Sequence, residues 1–341
     1  IRDSGNRMRV AEPEFAFRFG RDLPARLVPY AVDEVLDAVA SLGGGVESLG
    51  EPGHLPVRVG EPRPDGGRVP IRGDVSSQFL SALLLAGPCL SNGLRVELTS
   101  ALVSVPYVRM TLDAMARFGA RVEGDVASSL VVAPTGYTAA FLEVESDATA
   151  ASYFMAAPVI AGGRVRVDGV GSASLQGDAA FAEVLRQMGA DVRQGPNWTE
   201  VAATGELRGV DVDLSDMSDT AQTLAVIAPF ASTPTTVRGI GFIRAKETDR
   251  IAAVVTELQR LGVDAFANDD GFTIRPGRPT GGVVRTYGDH RMAMSFSLIG
   301  LAVPGVVISD PACVDKTYPR FWDDLDRVRS EVGRGPTPTT L

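Results

Sequence analysis

Two kinds of apolar pattern alternate along the chain. Residues 35–42, 110–118, 184–188 and 254–261 repeat apolar side chains three and four positions apart, the spacing of a helix with one buried face. Each run stops at a glycine (Gly43, Gly119, Gly189 or Gly262), where a left-handed residue can end a helix. Short strands follow each glycine, at 46–47 and 56–59, 121–123 and 130–132, 190–192 and 199–201, and 263–265 and 272–274. The unit recurs at roughly 70-residue intervals, which predicts a repeat architecture.

The second pattern is apolar almost all round. It occupies 79–85, 151–155, 223–226 and 292–301, and predicts four helices buried on every side. Polar residues stand directly before each: Ser76-Ser77-Gln78, Asp147-Ala148-Thr149-Ala150, Asp219-Thr220-Ala221-Gln222 and His290-Arg291. The start of a helix offers unpaired N–H groups and the positive end of a dipole. If these starts converge, they form anion sites.

At 341 residues, 45% of them apolar, the chain is long enough for two cores. A net charge of −9 and an aromatic content of 6% argue against nucleic acid or an anionic membrane as partner. No apolar run reaches the ~18 residues of a membrane span, and the first residues carry no apolar signal core. Cys89 and Cys313 lack metal-ligand spacing and read as reduced thiols of a cytoplasmic protein. Residues 334–341 carry no pattern and read as a flexible tail.

Against that acidic background, Arg244-Ala245-Lys246-Glu247-Thr248-Asp249-Arg250 and Gly288-Asp289-His290-Arg291-Met292-Ala293-Met294 concentrate cations, carboxylates and one of only two histidines. Such a mixture suits a site that clamps polyanions and moves protons. The second segment runs straight into an apolar helix, which excludes a solvated charge run.

These segments, together with Asp74-Val75-Ser76-Ser77-Gln78-Phe79, Val103-Ser104-Val105-Pro106-Tyr107, 147–153, Gln176-Gly177-Asp178, Asp219 and Lys316-Thr317-Tyr318-Pro319, stand in a specific order. That order resembles 5-enolpyruvylshikimate-3-phosphate (EPSP) synthases over about residues 35–330. The resemblance implies an α/β fold, a two-domain inside-out α/β barrel of βαβαββ repeats closing around its substrates. The first domain is expected to be incomplete: the family's early Lys-Ser segment and Asn-Ala-Gly-Thr loop find no match, and residues 4–9 are at most a remnant of the loop. The implied division is an N-terminal lobe over 1–144, on the acceptor side, and a C-terminal lobe over 145–333, on the phosphoenolpyruvate side, with the hinge near Val144-Glu145-Ser146.

The implied activity is transfer of the enolpyruvyl group of phosphoenolpyruvate to the 5-hydroxyl of shikimate 3-phosphate, in aromatic amino-acid biosynthesis. It proceeds by addition and elimination, needs no metal or organic cofactor, and is expected of a monomer. Matched by resemblance, Asp219 stands beside the 5-hydroxyl, Glu247 beside the methylene carbon, and Lys246 at the acceptor. Arg250, His290, Arg291, Lys316 and, more distantly, Arg26 match the phosphoenolpyruvate ligands. Ser76, Ser77, Gln78, Ser104 and Tyr107 match contacts to shikimate 3-phosphate, shared with Asp219 and Lys246.

On the residues alone, Asp219 is also placed to cap a helix, which would lower its pKa. Arg250 is placed to pair with Glu247 on a helix surface. A raised pKa would serve Glu247 as an acid. Asp147 reads as a cap, and Gln176-Gly177-Asp178 as a turn. Two other functions fit less closely: an enolpyruvyl transferase for a related acceptor in specialised metabolism, and a non-catalytic binding homologue. A nucleotide-sugar transferase is disfavoured, because Cys89 lies in an apolar run and no loop cysteine is present in its place.

Overall fold

The computed structural model describes residues 45–50, 57–60, 65–331 and 339–340. Arg26, the helix expected over 35–42 and its pivot Gly43 lie outside these residues.

One unit of sequence folds twice in complete form. In the first copy, strand β3 (Gly67–Ile71) leads through helix α1 (Ser77–Ala86) to β4 (Leu94–Leu98), then through α2 (Val105–Arg117) to the hairpin β5 (Val122–Asp125) and β6 (Ser129–Val132). The sheet order is β3-β4-β6-β5, with β3 and β4 parallel and the hairpin antiparallel. The second copy runs through β10 (Asp211–Asp213), α5 (Ala221–Ile227), β11 (Thr235–Arg238), α6 (Arg250–Arg260), β12 (Ala265–Asn268) and β13 (Gly271–Ile274), in the same order and directions. Parallel neighbours need a crossover between them, and a buried helix supplies it each time.

Between these copies lie α3 (Ala148–Ala161), β7 (Arg164–Asp168), α4 (Phe181–Gln187), β8 (Asp191–Gly195) and β9 (Trp198–Ala202). Here the first-strand place, parallel to β7, is taken by Thr339–Thr340 from the region expected to be a patternless tail. The last unit pairs Gly282–Val284 with Val306–Ile308 in parallel across α7 (His290–Ser297), and ends with α8 (Phe321–Glu331). Near the chain start, Gly45–Ser48 and Val57–Gly60 form an antiparallel pair. The fold is therefore α/β with βαβαββ repeats, but the sheets stay discrete and form no closed barrel of strands among the described residues.

Two separate apolar clusters result. One gathers Val69, Leu80, Leu84, Val96, Val108 and Met115. The larger runs from Ala148 to Val328. Helices α3, α5 and α7 run inside the larger cluster; every residue of α5 is buried, while α7 leaves Arg291 and Ser297 partly exposed. Helix α1 differs, since Phe79, Leu83 and Leu85 are only half-buried. The pivot glycines fulfil their expected role: Gly119, Gly189 and Gly262 have φ of +84°, +105° and +81°. No helix among the described residues is long and apolar enough to cross a membrane.

Residues 133–147 join the clusters without regular structure. The Glu145 carboxylate accepts from the Leu175 amide (3.2 Å), the Gln176 side-chain amide (3.0 Å) and the Ser174 hydroxyl. Gln176 also accepts from the Ala148 amide at 2.8 Å and donates to the Ser146 carbonyl at 2.7 Å. Gln176 is thus more than part of a turn. It ties the linker to the start of α3, where Asp147 caps the Ala150 amide at 2.9 Å as its sequence position implies.

Candidate active site

Helix α6 begins at Arg250 because Asp249 caps it, accepting from the Ala252 amide at 2.9 Å. Helix α7 begins at His290 in the same way: Asp289 accepts from the Arg291 amide at 2.8 Å. These two starts face one another, and Arg250 fills the space between them. Only 2% exposed, it donates from Nε to Asp289 Oδ2 at 2.8 Å, from Nη1 to Asp219 Oδ1 at 2.9 Å and from Nη2 to Glu247 Oε2 at 2.7 Å. The planar guanidinium serves three carboxylates from three elements, which a lysine cannot do. The expected pair with Glu247 therefore exists, but in the interior and as one arm of three.

Around this centre the other cations close in. Arg291 donates to Asp219 Oδ2 at 2.9 Å, and Lys316 Nζ to Glu247 Oε1 at 2.9 Å. Lys316 ends the turn Pro311–Lys316, anchored by Tyr318, whose ring packs edge-on against Phe154 at 5.9 Å and Phe321 at 5.8 Å. Lys246 is half-buried, and its charge is felt by Asp219. His290 is 2% exposed, and neither ring nitrogen has a hydrogen-bond partner among the described residues. The Nε of Arg291 is likewise buried and unpartnered.

Electrostatics follow from this packing. Burial pushes the Asp219 carboxyl up, but Arg291, Arg250 and Lys246 outweigh it and hold the group well below the usual range. Asp219 lies within the short turn Ser218–Thr220 and caps no helix, so the cause expected from sequence was the wrong one. Glu247 differs in direction as well. Burial raises it, yet Arg250 and Lys316 pull it well below the ordinary value. A raised pKa would serve Glu247 as an acid, but the two cations beside it hold the carboxyl low. His290 is pushed down to about 4, by burial first and by the Arg291 cation next, so it is neutral.

Beside the smaller apolar cluster, α1 and α2 present the remaining candidates. Ser76 caps α1, accepting from the Gln78 amide at 3.2 Å; Ser77 is buried and Gln78 exposed. Ser104 is a non-glycine residue in the left-handed region, with φ of +52°, and its hydroxyl caps no amide of α2. Such a conformation costs about 1 kcal/mol or more and clusters at functional positions. Tyr107, on α2, reaches across to Asp219, its hydroxyl donating to Oδ2 at 3.2 Å. Beside it Pro106 approaches Gly177 closely: a Cβ on Gly177 would come within 2.8 Å of the Pro106 ring. The structure thus joins Tyr107, Asp219, Glu247, Arg250, Arg291 and Lys316 in one connected set, with His290 and Lys246 beside it. No hydrogen bond among the described residues links Ser76, Ser77 or Gln78 to that set.

Two carboxylates stand in the sequence motifs with no interior role assigned to them. Asp289 is fully buried, and its partner Arg250 lies 39 positions away. Asp178, within the segment read as a turn, is also buried; one oxygen takes the Thr149 hydroxyl and the other has no partner among the described residues. Burial, and then the nearby Asp219 charge, push Asp178 up to about 7. Only the acidic residue type at a helix start could have signalled either.

The protein-family model of EPSP synthase (3-phosphoshikimate 1-carboxyvinyltransferase) matches residues 31–325. A 3-phosphoshikimate 1-carboxyvinyltransferase of a Marinomonas species is 42% identical over 300 residues, covering 87% of this chain and 70% of that protein. Its counterpart in Nostoc punctiforme is 44% identical over 291 residues, covering 85% and 68%. Among solved structures, an EPSP synthase from Acinetobacter baumannii superposes with a TM-score of 0.72 at 25% identity, covering 89% of this chain and 72% of that one. The enolpyruvyl transferase NikO from Streptomyces tendae shares the fold, with a TM-score of 0.67 at 20% identity and coverage of 89% and 72%.

Proposed function

We propose that this chain, which belongs to the EPSP synthase family, performs the transfer in the site built around Arg250. The protein is a 3-phosphoshikimate 1-carboxyvinyltransferase of aromatic amino-acid biosynthesis, taking phosphoenolpyruvate and shikimate 3-phosphate as substrates. The name shared by the curated relatives favours this acceptor over a related one, and catalysis over binding alone.

The observation that supports our assignment of roles is the separation of two ionised carboxylates by one buried guanidinium. Asp219, facing Tyr107 and the acceptor lobe, takes the proton of the 5-hydroxyl as its oxygen attacks C2 of phosphoenolpyruvate. Glu247, facing Lys316, supplies a proton to C3 and removes one again when the C2–O bond to phosphate breaks. The proton held by Asp219 leaves with the phosphate. For Glu247 to act first as an acid it must gain a proton. The phosphate and carboxylate of the incoming substrate furnish the means, because they neutralise Lys316 and Arg250, the two cations that pull Glu247 down.

Arg291, Lys316 and Arg250 hold the phosphoenolpyruvate oxygens, with His290 donating one hydrogen bond from a neutral ring. Ser76, Ser77, Gln78 and Ser104 receive shikimate 3-phosphate at the starts of α1 and α2, with Lys246 bridging to Asp219. The lobes move about the linker 133–147. All these groups come from one chain, so a monomer suffices, and the unpaired Cys89 and Cys313 suit the cytoplasm.

Release of phosphate from phosphoenolpyruvate tests the reading. It should require shikimate 3-phosphate and fail with dephosphorylated or ring-altered acceptors. Equal release with such acceptors would refute the acceptor assignment.

A further inference from the structure

Helix α6 grips the segment before α7 at two places. Near its start, Arg250 binds Asp289 at 2.8 Å. Seven residues on, Glu257 projects from the same face, because seven residues make almost two whole turns. Glu257 is fully buried. Its Oε2 accepts from the Arg285 amide at 2.9 Å, and its Oε1 from the Tyr287 hydroxyl at 2.7 Å; Arg260 stands 3.6 Å from Oε1.

The gripped segment is contorted. Tyr287 and Gly288 adopt consecutive left-handed conformations, with φ of +57° and +69°. Glycine does so freely, whereas tyrosine does so only when its surroundings impose it. Tyr287 is 42% exposed, so packing alone does not hold it; the hydroxyl bond to Glu257 does. This turn, closed by the Asp289 amide on the Thr286 carbonyl at 2.9 Å, sets the direction in which α7 starts.

We propose that Glu257 and Tyr287 are positioning residues for phosphoenolpyruvate: by clamping residues 285–287 they fix the start of α7, from which His290 and Arg291 reach the substrate. The proposal rests on the assignment of His290 and Arg291 made above. Neither Glu257 nor Tyr287 touches substrate. Each acts through the loop, as partners behind a ligand act in metal sites.

Two variants test it in the whole protein: Tyr287→Phe, which removes one hydroxyl at a half-exposed position, and Glu257→Gln, which keeps the size but loses the charge. In Tyr287→Phe, KM for phosphoenolpyruvate should rise roughly fivefold, the loss of about one hydrogen bond, while KM for shikimate 3-phosphate and Tm stay as in the parent. Hydrogen exchange at the amides of Asp289 and Arg291 should quicken by a similar factor. Glu257→Gln should change the same two readouts in the same direction. Unchanged exchange in both variants would overturn the proposal, and so would faster exchange with an unaltered KM for phosphoenolpyruvate. If the parent protein turns over neither substrate, the functional reading fails first and takes the proposal with it, an outcome seen before any variant is measured.

Discussion

The Tyr107 hydroxyl and the Asp219 carboxylate meet at 3.2 Å across the boundary between the two apolar clusters. Burial and the Asp219 charge push the Tyr107 phenol well above its ordinary value, so it remains a donor throughout the working pH range. Tyr107→Phe should leave Asp219 paired with Arg250 and Arg291 and the fold intact. A lost hydrogen bond is worth about 0.5–1.5 kcal/mol, so kcat/KM for shikimate 3-phosphate should fall roughly two- to tenfold. An unchanged kcat/KM would remove Tyr107 from the acceptor site.

Arg250→Lys tests the guanidinium at the centre. An ammonium cannot reach three carboxylates in a plane, and the fully buried Asp289 would lose its charged partner. Breaking a buried pair in this way costs about 3–5 kcal/mol. Denaturant unfolding should show a loss of that order, and activity should fall with it. A stability within about 0.5 kcal/mol of the parent, the range of an ordinary surface change, would contradict the packing described.

His290 should titrate well below an ordinary histidine. Its folded pKa lies near 4, below the unfolded value of about 6.5. Between those values only the unfolded chain binds the proton, so His290 subtracts stability as pH falls through this window. By NMR its ring should be neutral at pH 6. Phosphoenolpyruvate, by neutralising Arg291, should raise its pKa. A His290 ring already protonated at pH 6 in the free protein would refute this.

Asp178 gives the opposite slope. Its folded pKa, pushed up to about 7 by burial and then by Asp219, exceeds the unfolded value of about 4. Between these values the folded protein keeps a proton that the unfolded chain has released, so stability declines as pH rises and levels off above about pH 7. Asp178→Asn is neutral at every pH. Its Tm should exceed the parent's at pH 8, and the difference should shrink toward pH 4. A variant less stable than the parent at pH 8 would show that the carboxylate is ionised and paired.

The sequence reading reached furthest where information was local. The amphipathic helices and their glycines, visible in a window of ten residues, stand as expected at Gly119, Gly189 and Gly262. The parallel strands did not show themselves, because segments such as Asp211–Asp213 and Gly282–Val284 are three residues long and carry no usable period. The cations of the site were legible as a motif, and Lys316 does reach Glu247 from 69 positions away. The lowered pKa of Glu247 is not legible in sequence, because Arg250 and Lys316 act on it through the fold. The partners of Asp289 and Glu257 are illegible for a similar reason: each is an ordinary acidic residue until the fold brings its distant partner to it.

The central claim is that this site adds a proton to C3 of phosphoenolpyruvate and later removes one. Run in heavy water, the reaction passes through a methyl group that holds one solvent deuterium. With shikimate 3-phosphate present, the product's methylene carbon should therefore carry deuterium. Glu247→Gln should lower the rate of product formation by about 10²–10⁴. Product formed at the parent's rate with no deuterium on that carbon would contradict the account.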